Sequence, residues 1–424
     1  MTHTLPTTLP DWLTRLESLH PSAIDMGLER VRRVRDVMGL HPSCPVVLVA
    51  GTNGKGSVCA MLSTMLHRAG FKVGTYTSPH LLRYNERVAI DMQPVDDELI
   101  VQGFEAVEAA RGDTSLTYFE FGTLGAVKTF VDQQVDVMVL EVGLGGRLDA
   151  VNVFEPDVSV VVSVDLDHQA ILGDNREDIG FEKAGVFRAG KPAICADANP
   201  PQRLLDHAAA IGADLKLYGR DFGFSKLENQ WSFRMGDVYR HALPFPALRG
   251  SYQLVNASTA LAVLECLKEK LPVGIGAVKR GLLEVDWPGR FQVLPGRPLT
   301  ILDVGHNPHA VQAMVANLKK LAFAENRYAV FSMLSDKDLD TVVALARDEF
   351  DGWFVGGLDM PRGQSGAQLA ERLAALGVRN VKTYDTVAEA WGAALSAAGE
   401  NDRIVAFGSF HTVAAVLEAR HHTS

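Results

Sequence analysis

Cysteine is scarce. Cys44, Cys59, Cys195 and Cys266 are the only four in 424 residues, and their spacing matches neither a metal-ligand set nor a disulfide framework. A reducing cytoplasm fits that usage. Excess positive charge is also lacking: 41 Lys and Arg stand against 51 Asp and Glu, a formal net charge of −10. A general nucleic-acid binder usually carries a basic face, so that partner class loses ground. No apolar run is long enough to span a bilayer, and the start of the chain lacks the basic-then-apolar pattern of a signal peptide. No membrane partner is expected, and a monomer is. The closing His421 and His422 read as a solvated tail. At 47% hydrophobic and 22% charged, the composition is ordinary for a soluble globular protein, and the length suits two or three domains.

What is present is organised around Val46-Val47-Leu48-Val49-Ala50-Gly51-Thr52-Asn53-Gly54-Lys55-Gly56-Ser57. The apolar, mostly β-branched start predicts a buried strand. Val58, Met61, Leu62, Met65 and Leu66 then recur at helical spacing until Gly70. Strand, glycine loop and helix together make a phosphate-binding loop: backbone N–H groups and the helix dipole face the anion, and glycines let the backbone come close. Asn53, Gly54, Lys55, Gly56 and Ser57 are the candidate ATP-binding residues, with Lys55 on the outer phosphates and Ser57 on Mg²⁺. The spacing departs from the common pattern, because Gly56 separates Lys55 from Ser57. The bland alternative is a glycine-rich turn with an exposed lysine.

Along the chain, Trp12 to Leu19 and Leu28 to Met38 predict two helices, with a turn and an N-cap at Asp25 between them and a solvated face formed by Arg30, Arg32, Arg33 and Arg35. Phe71 to Tyr76 is a strand. Thr77 to Arg87 is a loop whose Arg83 and Arg87 either clamp a carboxylate or are ordinary surface arginines. Thr117-Tyr118-Phe119-Glu120 opens a helix. Two more strands, 136–142 and 158–164, deliver Glu141 and then Asp165, Asp167 and His168 at carboxyl ends, the edge where open α/β sheets bind ligands. Glu141 beside a phosphate loop suits Mg²⁺, although an isolated glutamate is more often structural. Lys183 has no special status from its spacing. Short alternating pieces between 217 and 243 suggest a small antiparallel excursion. Asn256 lies next to the apolar face of a strong helix, either as a partnered core group or as a ligand contact. Pro and Gly cluster at 288–298, and strands alternate with helices beyond. The expected fold class is therefore α/β in two domains. The first, 1–288, is P-loop ATPase-like with a mainly parallel sheet and a small antiparallel portion; after a linker at 289–298, residues 299–424 form a Rossmann-like domain.

These motifs, in order, resemble the folylpolyglutamate synthases of the Mur ligase superfamily. The resemblance rests on Ala50 to Ser57, Thr77-Ser78-Pro79-His80-Leu81, Leu140 to Ala150, Asp167-His168, Glu182-Lys183-Ala184-Gly185, Trp287-Pro288-Gly289-Arg290 and Asp303 to Pro308, and it covers nearly the whole chain. In that family the glycine after the lysine is normal. The resemblance implies ATP-dependent ligation of L-glutamate to a folate carboxylate. It implies that Ser57, Glu141 and His168 hold magnesium, as two ions in all, with Lys183 converted by CO₂ to N6-carboxylysine; Lys55, Glu141, His168 and Lys183 would be the catalytic set. Asn256, Arg290 and Asp303 would contact the nucleotide. Ala23, Ile24, Asp25, Arg83, Thr117, Tyr118, Phe119, Glu120, Leu148, Asp149 and Ala150 would lie around the pterin, with the segment to Met26 closing over it. His306 and Ser409 would face the incoming glutamate. The segments 24–30 and 117–122 look like the bifunctional bacterial type, which also joins glutamate to dihydropteroate.

Three other readings compete. A cell-wall Mur ligase calls for a further domain ahead of a phosphate loop that here opens near residue 50. A regulatory ATPase leaves the C-terminal α/β domain without a task. A nicotinamide oxidoreductase lacks the dinucleotide spacing at Gly143-Leu144-Gly145-Gly146.

Overall fold

The computed structural model describes residues 5–421, so the expectation for His422 lies outside the described residues. Two compact units result. One runs to Ala247 and includes Leu254–Val285; the other takes Leu248–Gln253 and the chain from Asp286.

The first unit is built on one sheet. Its strands are β1 (Val46–Ala50), β2 (Val73–Tyr76), β3 (Val88–Ile90), β4 (Gln93–Pro94), β5 (Val137–Glu141), β6 (Val158–Val161), β7 (Pro192–Cys195) and β8 (Asp214–Leu217), in the order β4-β3-β2-β5-β1-β6-β7-β8. All neighbours are parallel except β3 against β2 and β4 against β3. β1 lies in the interior of the sheet, with Val47 opposite Val139 on one side and Val158 on the other. Its five residues are all buried, which is why the run is continuously apolar rather than alternating. The 77–87 stretch is largely irregular as expected, but a 3₁₀ turn at Tyr84–Arg87 feeds β3. Strands of three and two residues are too short to display a period, so β3 and β4 left no trace in the pattern.

The helix Tyr118–Asp132 starts with a reciprocal cap: Glu120 N–H donates to Thr117 Oγ1 at 3.2 Å, and Thr117 N–H donates to the Glu120 carboxylate at 2.8 Å. Its inner face carries Phe121, which packs edge-on against Phe104 at 5.5 Å; Phe104 in turn meets Trp12 of the helix Leu9–Leu19 at 6.0 Å. Two expectations near the start need correcting. Asp25 does not cap the helix Glu29–Val37; Leu28 occupies the cap without a side-chain bond. The Asp25 carboxylate instead pairs with Arg30 at 2.7 Å, because a guanidinium is a stronger partner than a backbone N–H. The arginines of that helix are also not one solvated face. Arg32 and Arg33 are exposed, whereas Arg30 reaches Glu120 and Arg35 donates to the Val153 carbonyl.

The antiparallel excursion is a three-stranded sheet of β9 (Phe222–Lys226), β10 (Trp231–Met235) and β11 (Val238–Leu243), with β10 central and Phe222, Trp231 and Phe233 buried.

The second unit has a six-stranded sheet of β12 (Gln292–Leu294), β13 (Leu299–Asp303), β14 (Arg327–Phe331), β15 (Gly352–Gly356), β16 (Val381–Tyr384) and β17 (Arg403–Phe407), in the order β12-β13-β17-β14-β15-β16. Five strands are parallel, and β17 inserts between β13 and β14. Phe331, Trp353 and Phe407 fill the core, with ring centroids 5.1–5.8 Å apart. The expected linker at 289–298 is not a bare connection. It contains β12, which pairs antiparallel with β13, so Pro295, Gly296 and Pro298 turn the chain between two strands of one sheet; an edge strand tolerates proline at its end.

Candidate active site

The carboxyl end of β1 opens into Gly51-Thr52-Asn53-Gly54, and the helix Lys55–Arg68 starts at once. The loop is tied to the end of β6. Thr52 N–H donates to Ser163 O at 2.8 Å, Asn53 N–H donates to Ser163 Oγ at 3.0 Å, and the Ser163 hydroxyl donates back to Asn53 O at 3.0 Å. Thr52 Oγ1 accepts from Asp165 N–H at 2.9 Å. Gly54 has φ +88°, and a Cβ there would lie 2.8 Å from Asn256 Oδ1 and 2.9 Å from Val162 Cγ1. The structure therefore brings the Asn256 amide, from the helix Tyr252–Cys266, onto the phosphate loop. Gly54→Ala is expected to lower stability by about 1–3 kcal/mol through backbone strain and to weaken nucleotide binding. Thermal melting combined with titration of a non-hydrolysable ATP analogue checks both; unchanged affinity would count against phosphate binding by this loop.

Lys55 Nζ donates to Gly51 O at 3.0 Å and reaches Thr52 O at 3.5 Å, so the loop's own carbonyls hold its ammonium over the helix start. Ser57, two residues on in the same turn of that helix, is buried. At the end of β5, buried Glu141 accepts from Ser78 N–H at 3.1 Å, which joins the ends of β5 and β2.

The glycine-rich loop after β5 packs on the helix Arg176–Ala184. A Cβ on Gly146 would meet Glu182 O at 2.9 Å and Lys183 Cα at 3.1 Å. Arg147 N–H donates to Glu182 O at 2.8 Å, and its guanidinium pairs with the Glu182 carboxylate at 2.8 Å. Asp149 is buried and accepts from Leu144 N–H at 2.8 Å and Val151 N–H at 3.1 Å. Burial nevertheless pushes its carboxyl up to about 7, against those bonds and the Lys55 charge. Lys183 is buried in the same region. Burial first, then the charge of Lys55, pulls its amine down to about 7, while Asp167 and Asp149 act the other way. Lys55, Asp149, Asp167 and Lys183 thus share one electrostatic neighbourhood, which spacing alone does not reveal for Lys183. His168 stands at the start of a short helix, Gln169–Leu172, with φ +51° and Nε2 3.9 Å from Asp167 Oδ1.

Among the described residues, no group of three or more His, Cys, Asp and Glu side chains forms a ready cation cage. The expected donors, Ser57, Glu141, His168 and a modified Lys183, fit a different kind of site. Magnesium keeps several waters and takes one or two carboxylates together with substrate phosphates. A buried amine near 7 exists partly as the neutral form that adds CO₂.

Beside this edge, Thr117 and Glu120 form the helix cap described above. The Phe119 ring lies 5.9 Å from that of Tyr76 and covers Gly143. Ala150 is buried, Leu148 half-buried, and Ala23 to Asp25 exposed. Of the two arginines in the 77–87 loop, Arg83 is not the one that faces this region. It pairs with Asp97 at 3.3 Å and is largely in solvent. Arg87 donates to His80 Nδ1 at 2.8 Å and lies over the Tyr84 and Tyr118 rings at 5.5 and 5.6 Å. Both arginines look alike in sequence; the 3₁₀ turn decides which one turns inward. Ser163 is a further residue that holds the loop, and its one sequence signal is a polar side chain near the end of the apolar 158–164 run.

In the second unit, buried Asp303 at the end of β13 accepts from Gly305 N–H at 2.7 Å and Phe291 N–H at 3.0 Å; burial raises its carboxyl to about 6. Arg290 lies 5.0 Å over the Phe410 ring, and Arg290 and His306 both act on Asp303 electrostatically. The His306 ring meets Val304 O through Nδ1 at 2.9 Å. Ser409, expected to face the glutamate, stands just before the last helix. Its buried hydroxyl accepts from Thr412 N–H at 3.0 Å at the start of the helix Phe410–His421 and is 2.7 Å from Thr412 Oγ1.

Two family models match: the Mur ligase middle domain over residues 49–264 and the Mur ligase glutamate ligase domain over residues 289–410. The chain is 44% identical to dihydrofolate synthase/folylpolyglutamate synthase of Escherichia coli K12 over 97% of its own length and 95% of that protein. A solved structure of E. coli FolC in complex with DHPP and ADP superposes with TM-score 0.94 at 43% identity, covering 98% of each chain. A bifunctional folylpolyglutamate synthase/dihydrofolate synthase crystallised with Mn, AMPPNP and L-glutamate superposes with TM-score 0.92 at 43% identity, covering 99% of this chain and 100% of that one.

Proposed function

The chain belongs to the Mur ligase family, in its dihydrofolate synthase/folylpolyglutamate synthase branch, and from that premise we propose that it joins L-glutamate to dihydropteroate and to tetrahydrofolate polyglutamate tails with ATP. The observation that carries this reading is the shared neighbourhood of Lys55, Lys183, Asp149 and Asp167 at the carboxyl edge of the first sheet. It supports a phosphate-binding role for Lys55 near a buried amine and the loop expected to hold the pterin. Relatives solved with ADP and DHPP, and with Mn, AMPPNP and L-glutamate, support the substrate set.

The acceptor carboxylate is a poor electrophile. Its oxygen attacks the γ-phosphorus, ADP leaves, and an acyl phosphate forms. The glutamate amine then attacks the acyl carbon; phosphate departs, the nitrogen loses a proton, and an amide remains. Positioning and charge stabilisation carry such a reaction. In this assignment Lys55 meets the transferring phosphoryl oxygens, and Asn256 holds the loop beside it. Arg147 adds positive charge near the reacting carboxylate, and Arg87 replaces Arg83 as the cation, lying over the Tyr84 and Tyr118 rings. A divalent metal held by Ser57, Glu141, His168 and carboxylated Lys183 would polarise the phosphoryl and carboxylate oxygens. Residues to 288 would serve ATP and folate. The junction at 289–298 would supply Arg290 for the nucleotide, and residues from 299 would supply Asp303 for the nucleotide and His306 for the glutamate. Folate biosynthesis in the cytoplasm is the setting this chemistry implies, and no helix among the described residues is long and apolar enough to cross a membrane.

The test is an assay with ATP, Mg²⁺, L-glutamate and either dihydropteroate or tetrahydrofolate, following ADP and amide together. Amide from both acceptors is expected. Amide from tetrahydrofolate alone leaves a tail-extending synthase, and ADP release that ignores both acceptors overturns the ligase reading.

A further inference from the structure

Residues 20–28 form an irregular, largely exposed segment between two helices, and one side chain joins it to the interior. Arg30 pairs with the Asp25 carboxylate at 2.7 Å and donates to the Asp25 carbonyl at 2.8 Å. The same guanidinium reaches both carboxylate oxygens of Glu120 at 3.1 and 3.4 Å. Glu120 is buried and already bonded to Thr117 N–H at 2.8 Å, so its position is fixed by the helix start. His20 Nε2 lies 3.4 Å from Asp25 Oδ2, the same oxygen that Arg30 holds. The result is a chain of four groups, His20, Asp25, Arg30 and Glu120, running from a surface coil to a buried helix cap.

Arg30 stands in the first turn of its helix, where the dipole disfavours a cation. Its two carboxylates offset that cost, and the planar fork lets one side chain hold both at once. The segment it holds carries Ile24, which is 48% exposed, and Met26, whose Cε lies 3.7 Å from where a Cβ on Gly145 would be. In the function proposed above, this tethered coil beside the 143–149 loop is the segment expected to close over the pterin ring.

We infer that Arg30 is a positioning residue that fixes the 20–28 segment against the Thr117–Glu120 cap and so sets the enzyme's use of the short acceptor, dihydropteroate. The inference rests on the function proposed above. Dihydropteroate lacks the glutamyl carboxylates of tetrahydrofolate, so contacts around its ring system carry a larger share of its binding. Loosening the segment therefore costs the short acceptor more.

The test uses the full chain with Arg30→Met, Arg30→Lys and Asp25→Asn, assayed with both acceptors, together with hydrogen exchange of the amides at 22–28. Arg30→Met is expected to raise KM for dihydropteroate roughly 10-fold or more, the effect of losing a charge-assisted pair, with a smaller rise for tetrahydrofolate and kcat and the KM for ATP within about 2-fold. Arg30→Lys should recover part of the loss, and exchange at 22–28 should quicken in Arg30→Met. Asp25→Asn cuts the chain without leaving the buried Glu120 unpaired; if Arg30→Met folds poorly, quickened exchange at 22–28 together with a raised KM for dihydropteroate in Asp25→Asn supports the inference, and unchanged exchange overturns it. An unchanged KM for dihydropteroate in a folded Arg30→Met, or equal rises for the two acceptors, overturns the inference. If the unaltered protein makes amide from neither acceptor, the functional reading has failed instead, and the exchange data still report whether Arg30 holds the segment.

Discussion

Lys183→Met is expected to lower ligase turnover by about 10³-fold or more while leaving the protein folded and more stable near pH 7. The activity loss follows from removing a group that the proposed function puts among the reacting charges, where single electrostatic contacts are worth about 10²–10³ each. The gain in stability follows from the buried amine itself. Its value falls from 10.5 to about 7 on folding. Below about 7 the folded state must protonate a buried group, and the full cost is present. Between about 7 and 10.5 the unfolded chain binds a proton that the folded chain does not, so stability rises with pH, by about 1.4 kcal/mol for each unit. Methionine carries no such burden. In CO₂-depleted buffer the melting temperature of Lys183→Met should therefore exceed that of the unaltered protein at pH 7, and the gap should close toward pH 10. At fixed dissolved CO₂, carbamate on Lys183 should increase as pH rises through about 7, because only the neutral amine reacts. Carbon-13 NMR with labelled bicarbonate reads this directly, and the signal should vanish in the variant. Full activity in Lys183→Met would remove this lysine from the chemistry.

The parts of the site that the sequence discloses are those whose partners are close along the chain. The apolar run ending in Gly51 and Gly54 announces both the strand and the loop, because only a strand buried on both faces needs five consecutive apolar residues. Thr117 and Glu120 announce the helix cap three residues apart. Asp25 shows the limit of such local logic. An aspartate before a helix suits either a cap or an ion pair, and its partner Arg30 is itself committed to Glu120, 90 residues away. Lys183 shows the same limit. Its low value arises from burial and from Lys55, and neither is visible around position 183. Hydrophobic runs also do not encode strand order, so nothing in 136–142 says that β5 separates β1 from β2. Proline and glycine at 288–298 mark a turn faithfully but do not say whether it joins domains or two strands of one sheet.

Lys55→Met is expected to slow the overall reaction by about 10³-fold, and for two reasons that can be separated. The first is loss of a charge from the phosphate loop, whose ammonium is held ready by Gly51 O and Thr52 O. The second passes through Lys183, because the Lys55 charge is one of the causes that keep that amine neutral. With Lys55 gone, Lys183 takes up a proton more readily, and less of it is open to CO₂ at neutral pH. The carbamate signal at pH 7 should then be weaker in Lys55→Met than in the unaltered protein and should recover at higher pH, while turnover should not, since the phosphate contact remains missing. Combining Lys55→Met with Lys183→Met should cost less than the product of the single losses, as expected for neighbours that act on one step. Neutralising a cation in the first turn of the helix Lys55–Arg68 should not destabilise it, because the dipole there disfavours positive charge. An unchanged carbamate signal would leave Lys55 as a phosphate ligand alone. A fully active Lys55→Met would refute the phosphate loop itself, on which every other role in the first unit depends.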